Sequence, residues 1–187
     1  VKVAVYCGAA TGHNPIYAEA AKELASWLVH KNLDVIYGGG SVGLMGVLAD
    51  TILEQGGKII GVMPDFLIER EIAHDQLTEL ISAPNMAERK QIMIDRSNVC
   101  IALPGGPGTL EEIAEAISWA RIGQSDNVCV FYNVNHYYDA LRDFYQKMRD
   151  EGFLSEKDFA RIAFVDHLDA IEPFVNSLPP QEIRTYK

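Results

Sequence analysis

Short apolar runs alternate with longer amphipathic stretches along the whole chain. "VKVAVYC" opens it, rich in β-branched residues and closed by Gly8. Residues 14–32, "NPIYAEAAKELASWLVHKN", follow with apolar positions spaced three and four apart, the period of a helix. Asn14 is its expected N-cap and Pro15 its first residue. The same couple then repeats. Further strands are expected at 33–40, 58–64, 77–83, 98–106, 127–134 and 162–166. Further helices are expected at 42–57, 84–97, 109–123, 138–152 and 168–178. Residues 65–76 read as a connector.

Strands that are apolar throughout, separated by helices, predict an α/β fold: a Rossmann-like, mostly parallel sheet with helices on both faces, in a single domain. That domain is expected to span residues 1–178, with 179–187 as a C-terminal tail. Ligands of such sheets bind beyond the carboxyl ends of the strands, near the point where strand order reverses. The rule selects the loops after Cys7, Tyr37, Met63 and Leu103, and with them Gly8, Gly39 and Gly40 as ligand contacts.

Composition narrows the function classes. The 187 residues are 48% apolar and 22% charged, an ordinary globular balance. Sixteen basic against 26 acidic residues give a net charge of −10, which disfavours nucleic acid and acidic membranes as partners. An anionic ligand therefore needs a local site. No apolar run approaches the ~20 residues of a membrane span, and the first run reads as a strand rather than a signal peptide. A first residue other than Met is expected of a processed or trimmed N-terminus. The three cysteines lie in or at the end of apolar runs without metal-type spacing. They are expected to be buried free thiols in a cytoplasmic protein that uses neither metal nor cofactor.

Two glycine-rich loops join strand to helix. "GGGSVG", 38–43, matches G-x-G-x-x-G, but it follows the second strand, and Asp65 falls in the connector behind Pro64. As a dinucleotide fingerprint it is weak. "PGGPGT", 104–109, offers backbone N–H groups and a helix N-terminus to an anion, with the Thr109 hydroxyl beside them. No Gly-Lys-Ser/Thr follows, so it is not a triphosphate loop. Two such loops in a small domain suit a nucleoside monophosphate. A second reading is structural: Thr109 to Glu112 spells a capping box, with Thr109 as N-cap.

On the helix 109–123, Leu110, Ile113, Ala114, Ile117 and Ala120 share the expected core face, and Glu112, Glu115 and Trp119 the other. In "MAERKQIM", Arg89 and Lys90 fall on the stripe between Met86 and Met93. Charges on a half-buried stripe need partners. Either they pair with acids such as Asp95, or they face ligand oxygens across a cleft from Glu112. A cation, a carboxylate and a phosphate cradle together suit cleavage of an N-glycosidic bond. That reaction passes through a sugar cation, which a carboxylate stabilises.

These residues resemble the LONELY GUY (LOG) family, often misnamed "lysine decarboxylase-like". The family signature P-G-G-x-G-T-x-x-E stands here as Pro104 to Glu112, preceded by M-x-x-R-K at Met86 to Lys90. "YGGGSVGLMG", "FLIEREIAH" and "SWARIG" also resemble family segments, so the likeness covers about residues 1–175. The resemblance implies a homodimer that hydrolyses nucleoside 5′-monophosphates, cytokinin riboside monophosphates or AMP, to free base and ribose 5-phosphate. It implies catalytic roles for Arg89 and Glu112. It implies substrate contacts from Glu71, Lys90, Gly105, Gly106, Pro107, Gly108, Thr109, Leu110, Glu111 and Ser118. Ala9 and Ala10 stand where members commonly carry serines, and Ala87 where His is frequent. The same departures motivate an alternative, a nucleotide-binding module without turnover. "GGGSVG" alone motivates a third, an NAD-type oxidoreductase.

Overall fold

Each apolar run named above forms a strand, and each amphipathic stretch contains a helix. The computed structural model describes residues 2–70 and 72–180. The strands are β1 (Lys2–Tyr6), β2 (Asp34–Tyr37), β3 (Ile59–Pro64), β4 (Glu79–Ala83), β5 (Val99–Ala102), β6 (Val128–Tyr132) and β7 (Ile162–Val165). The helices are α1 (Ile16–His30), α2 (Gly43–Glu54), α3 (Asp65–Ile68), α4 (Met86–Asp95), α5 (Pro107–Arg121), α6 (Asp139–Asp150), α7 (Glu156–Phe159) and α8 (Ile171–Ser177). The short α3 and α7 lack enough residues to show a helical period, so pattern reading misses them.

One seven-stranded sheet runs β4-β3-β2-β1-β5-β6-β7, with every pairing parallel. Such a sheet needs cover on both faces. Ala21, Leu24 and Leu28 of α1, Leu48 and Ile52 of α2, and Ile171 of α8 bury one face. Met93 and Ile94 of α4, Ile113 and Ile117 of α5, and Tyr145 of α6 bury the other. Cys7, Cys100 and Cys129 are free and buried within these layers.

The chain builds outward from β1 to β4, then returns through α4 to lay β5 against the free side of β1. The order therefore reverses between β1 and β5. The loops after these two strands diverge there, and a crevice opens at their carboxyl ends.

Candidate active site

The two diverging loops touch at glycines. A Cβ on Gly105 would stand 2.9 Å from the Gly8 nitrogen and 2.1 Å from Thr109 Oγ1. Tyr137 and Tyr138 fix the second loop from behind. Their hydroxyls donate to the carbonyls of Gly105 (2.7 Å) and Leu103 (2.6 Å). The crevice holds a cavity of about 310 Å³, lined among others by Gly8, Gly38, Met86, Arg89, Gly108 and Glu112. That volume suits a small molecule.

Arg89 enters from α4 and is almost fully buried, 8% exposed. Its Nε donates to the Val62 carbonyl (2.9 Å) and its Nη2 to the Gly38 carbonyl (2.8 Å). These carbonyls belong to β3 and to the loop after β2, so the guanidinium plane is fixed by backbone. Nη1 remains turned to the cavity, where it meets Met86 Sδ at 3.8 Å and Glu112 Oε1 at 3.9 Å. The Glu112 separation exceeds a good N–H···O bond and the Met86 thioether is only a weak acceptor, so Nη1 is available to a ligand oxygen. Gly38 makes this possible: a Cβ there would lie 2.1 Å from Nη2.

Glu112 faces Arg89 from α5, with its side chain 12% exposed. Burial raises its pKa to about 7, against the opposing pull of Arg89. Glu112 thus exchanges its proton near neutral pH, the range in which a carboxyl serves acid–base chemistry. Cys7 lines the same cavity. Burial and then the Glu112 charge push its pKa up, so it stays a thiol rather than a nucleophilic thiolate.

Lys90 takes a different course from its neighbour. Its ammonium donates to Glu111 Oε1 and Glu115 Oε2, each at 2.8 Å, and ties α4 to α5. The two glutamates raise its pKa and hold it charged. A permanently protonated, doubly paired lysine is a poor Schiff-base former. Among the described residues no lysine lines the cavity.

The capping-box reading fails. Gly106 is the N-cap, Pro107 opens α5, and Thr109 lies buried inside the first turn. Pro107 starts the helix early because its fixed φ suits the first position, where no N–H is needed. The amides of Gly108 and Thr109 then sit in the first turn, for which the helix supplies no carbonyl. The wheel also misplaces three residues. Leu110 is 43% exposed, Glu112 points inward and Trp119 packs against the core. β5 ends at Ala102, so the first turn of α5 overhangs the crevice rather than the sheet.

The glycines sort themselves by space. Gly12, Gly39, Gly43, Gly56, Gly123 and Gly152 have positive φ. At Gly8, Gly38, Gly40, Gly46, Gly57, Gly61 and Gly105 a Cβ would crowd other atoms within 3.1 Å. Of the chain's 15 glycines, only Gly106 and Gly108 have neither a positive φ nor anything within 4 Å of a Cβ. The fold itself does not require glycine at these two positions.

Of the contacts expected in the first glycine loop, Gly39 and Gly40 serve the protein. The Gly39 carbonyl accepts from the His74 amide at 2.9 Å, and Gly40 bridges Ala73. Ser118 is exposed on α5, two turns beyond Glu111 and outside the cavity lining. Glu111 lines the cavity, Gly105 lies beside it where the two loops touch, and Leu110 is exposed outside the lining. Glu71 lies outside the described residues. Sequence reading passed over Gly38, the Val62 carbonyl and Tyr137. Only the first carried a signal, as a glycine directly after a strand.

A family model described as "Possible lysine decarboxylase" matches residues 45–172. A cytokinin riboside 5′-monophosphate phosphoribohydrolase of Arabidopsis thaliana, LOG5, is 42% identical over 91% of this chain and 74% of its own length. A second Arabidopsis protein of that name, LOG1, is 42% identical over 82% of this chain and 72% of its own. The chain belongs to the LONELY GUY (LOG) family. The LOG relatives carry a phosphoribohydrolase name, in contrast to that of the matching family model. Among solved structures, the Moco carrier protein from Chlamydomonas reinhardtii superposes with a TM-score of 0.69. The match covers 95% of this chain and 98% of that one at 21% identity, and it supports the LOG-type fold alone.

Proposed function

We propose that this chain hydrolyses the N-glycosidic bond of nucleoside 5′-monophosphates, cytokinin riboside monophosphates and AMP among them. Water adds at C1′, the C1′–N bond breaks, the base leaves with a proton, and ribose 5-phosphate remains. The observation that carries this reading is Arg89 facing Glu112 across a cavity whose rim is the open first turn of α5. Phosphate is held at the amides of Gly108 and Thr109, with Arg89 Nη1 on a substrate oxygen. Ionised Glu112 then stabilises positive charge developing at C1′. Lys90 acts indirectly, by holding α4 and α5 at the spacing that sets Arg89 against Glu112.

The three buried thiols support a cytoplasmic site of action. Exposed Met86 of α4, with Leu110 of α5 and Ile122 at its C-cap, supports a homodimer in which a second copy covers these helices.

The test is base release from AMP and from isopentenyladenosine monophosphate, followed chromatographically. Wild-type protein should release base from at least one. Glu112→Ala should abolish release while calorimetry still records nucleotide binding, and Arg89→Ala should weaken both. Tight nucleotide binding by wild-type protein without any release would instead establish a module that binds and does not react.

A further inference from the structure

A second cavity adjoins the first. It lies beyond Gly8, Ala9 and Gly106, which line both, and has a volume of about 470 Å³. Its other walls include Ala10, Thr11, Tyr17, Leu44 and Tyr137, and among the described residues no charged side chain lines it. Tyr17 and Tyr137 form an edge-to-face pair there, with centroids 5.8 Å apart and planes at 76°.

The loop bearing Tyr137 is built at a cost. Asn135 and His136 hold left-handed backbone, at φ 51° and 59°. Such residues cost on the order of 1 kcal/mol each and persist where surrounding contacts over-determine them. Those contacts are present. Asn133 Nδ2 donates to Asp139 Oδ1 and Asn133 Oδ1 accepts from the Tyr138 amide, both at 2.7 Å. The Tyr137 hydroxyl is pinned to the Gly105 carbonyl at 2.7 Å. An aromatic residue 45% exposed is thus held in one place at the lip of the crevice.

We propose that this second lobe binds an uncharged aromatic group carried on the far side of the phosphate, so that the site accepts nucleoside 5′-phosphodiesters as well as monoesters. The inference rests on the reading of the first turn of α5 as the phosphate cradle. A phosphate held there, with its ribose turned toward Arg89 and Glu112, directs an oxygen past Gly106 into the lobe. A second phosphate would find no cation there among the described residues. An aromatic ring would find two tyrosines, the Leu44 side chain and the methyl groups of Ala9 and Ala10. The reaction is unchanged in kind. Water still replaces the base at C1′, and the phosphodiester stays intact in the ribose product.

The methyl and phenyl esters of AMP test this, because each carries one negative charge and they differ by a ring. In calorimetry on the wild-type protein the phenyl ester should bind about tenfold more tightly than the methyl ester, the size of one aromatic stacking contact. Tyr17→Ala should bring the two esters within about twofold of each other and leave AMP affinity unchanged. Equal affinities for the two esters in the wild-type protein overturn the proposal, whatever the variant does. So does a Tyr17→Ala variant of unchanged melting temperature that loses AMP and phenyl ester by the same factor, since the lobe would then belong to the monoester itself. Adenine release from AMP in the same preparation separates the two readings. If it proceeds while the esters bind alike, only the second lobe is lost. If AMP neither binds nor reacts, the hydrolase reading fails.

Discussion

The two glycine loops look alike in sequence and differ in what fills the space around them. In residues 38–43 the protein occupies it. Arg89 lies where a Cβ of Gly38 would be, Met45 where that of Gly40 would be, and the backbone of Ala9 against Gly43. In residues 104–109 only Gly105 is used in this way, while Gly106 and Gly108 face open space with ordinary backbone. A glycine needed by the fold and a glycine needed by a ligand are distinguished by whether the protein itself exploits the missing side chain. By that measure the first loop builds the seat of Arg89, and the second is kept clear.

The largest effect belongs to the carboxylate between the loops. Glu112→Gln should lower kcat for base release about 10²–10³-fold with little change in nucleotide affinity, as for other groups that stabilise transition-state charge. An equal loss of affinity would make Glu112 a binding residue instead.

Next is the pH dependence of stability. The folded-state pKa of Glu112, about 7, lies above its ordinary value of 4.5. The native state therefore binds that proton more tightly than the unfolded chain. Stability from this group is complete below the unfolded value and is lost as pH rises through about 7. Glu112→Gln removes the burden of a buried charge. Its advantage over wild type in urea unfolding should be about 2–3 kcal/mol larger at pH 8 than at pH 4.5. A pH-independent difference would contradict burial as the cause.

Gly38→Ala tests the first loop. Its Cβ would displace Arg89 Nη2 from the Gly38 carbonyl. We expect a stability loss of about 1–2 kcal/mol and activity reduced to that of Arg89→Ala. Full activity would show that Arg89 need not be seated there.

The smallest effect is the sharpest on the second loop. Gly108→Ala should raise stability by up to about 1 kcal/mol, because alanine is the better helix former and meets nothing. The same methyl group intrudes on the phosphate space, so KM for AMP should rise several-fold. A more stable protein with unchanged KM would remove the ligand from that loop.

The layering of the fold was legible because its signals are periodic. Apolar runs and helical spacing locate all seven strands and the larger helices, and the strand-end rule locates the crevice. Arg89 and Glu112 were legible as charges out of keeping with their surroundings and through the family likeness. The division of labour within each motif was not. Arg89 and Lys90 are adjacent, yet one turns to the cavity and the other to Glu111 and Glu115. Which way each points depends on carbonyls and carboxylates brought close only by folding. The start of α5 was misread for a related reason: Thr109 fits a capping pattern, but Pro107 and the end of β5 settle where the helix begins.

The seat of Arg89 also bears on how activity is lost. Its two carbonyl partners lie 27 and 51 positions back along the chain, one on β3 and one in the loop directly after β2. No local fragment can assemble them, and no fraying end can loosen them without parting the central strands. Warming should therefore leave turnover intact until the sheet itself opens, making residual activity a gauge of the cooperative unfolding transition.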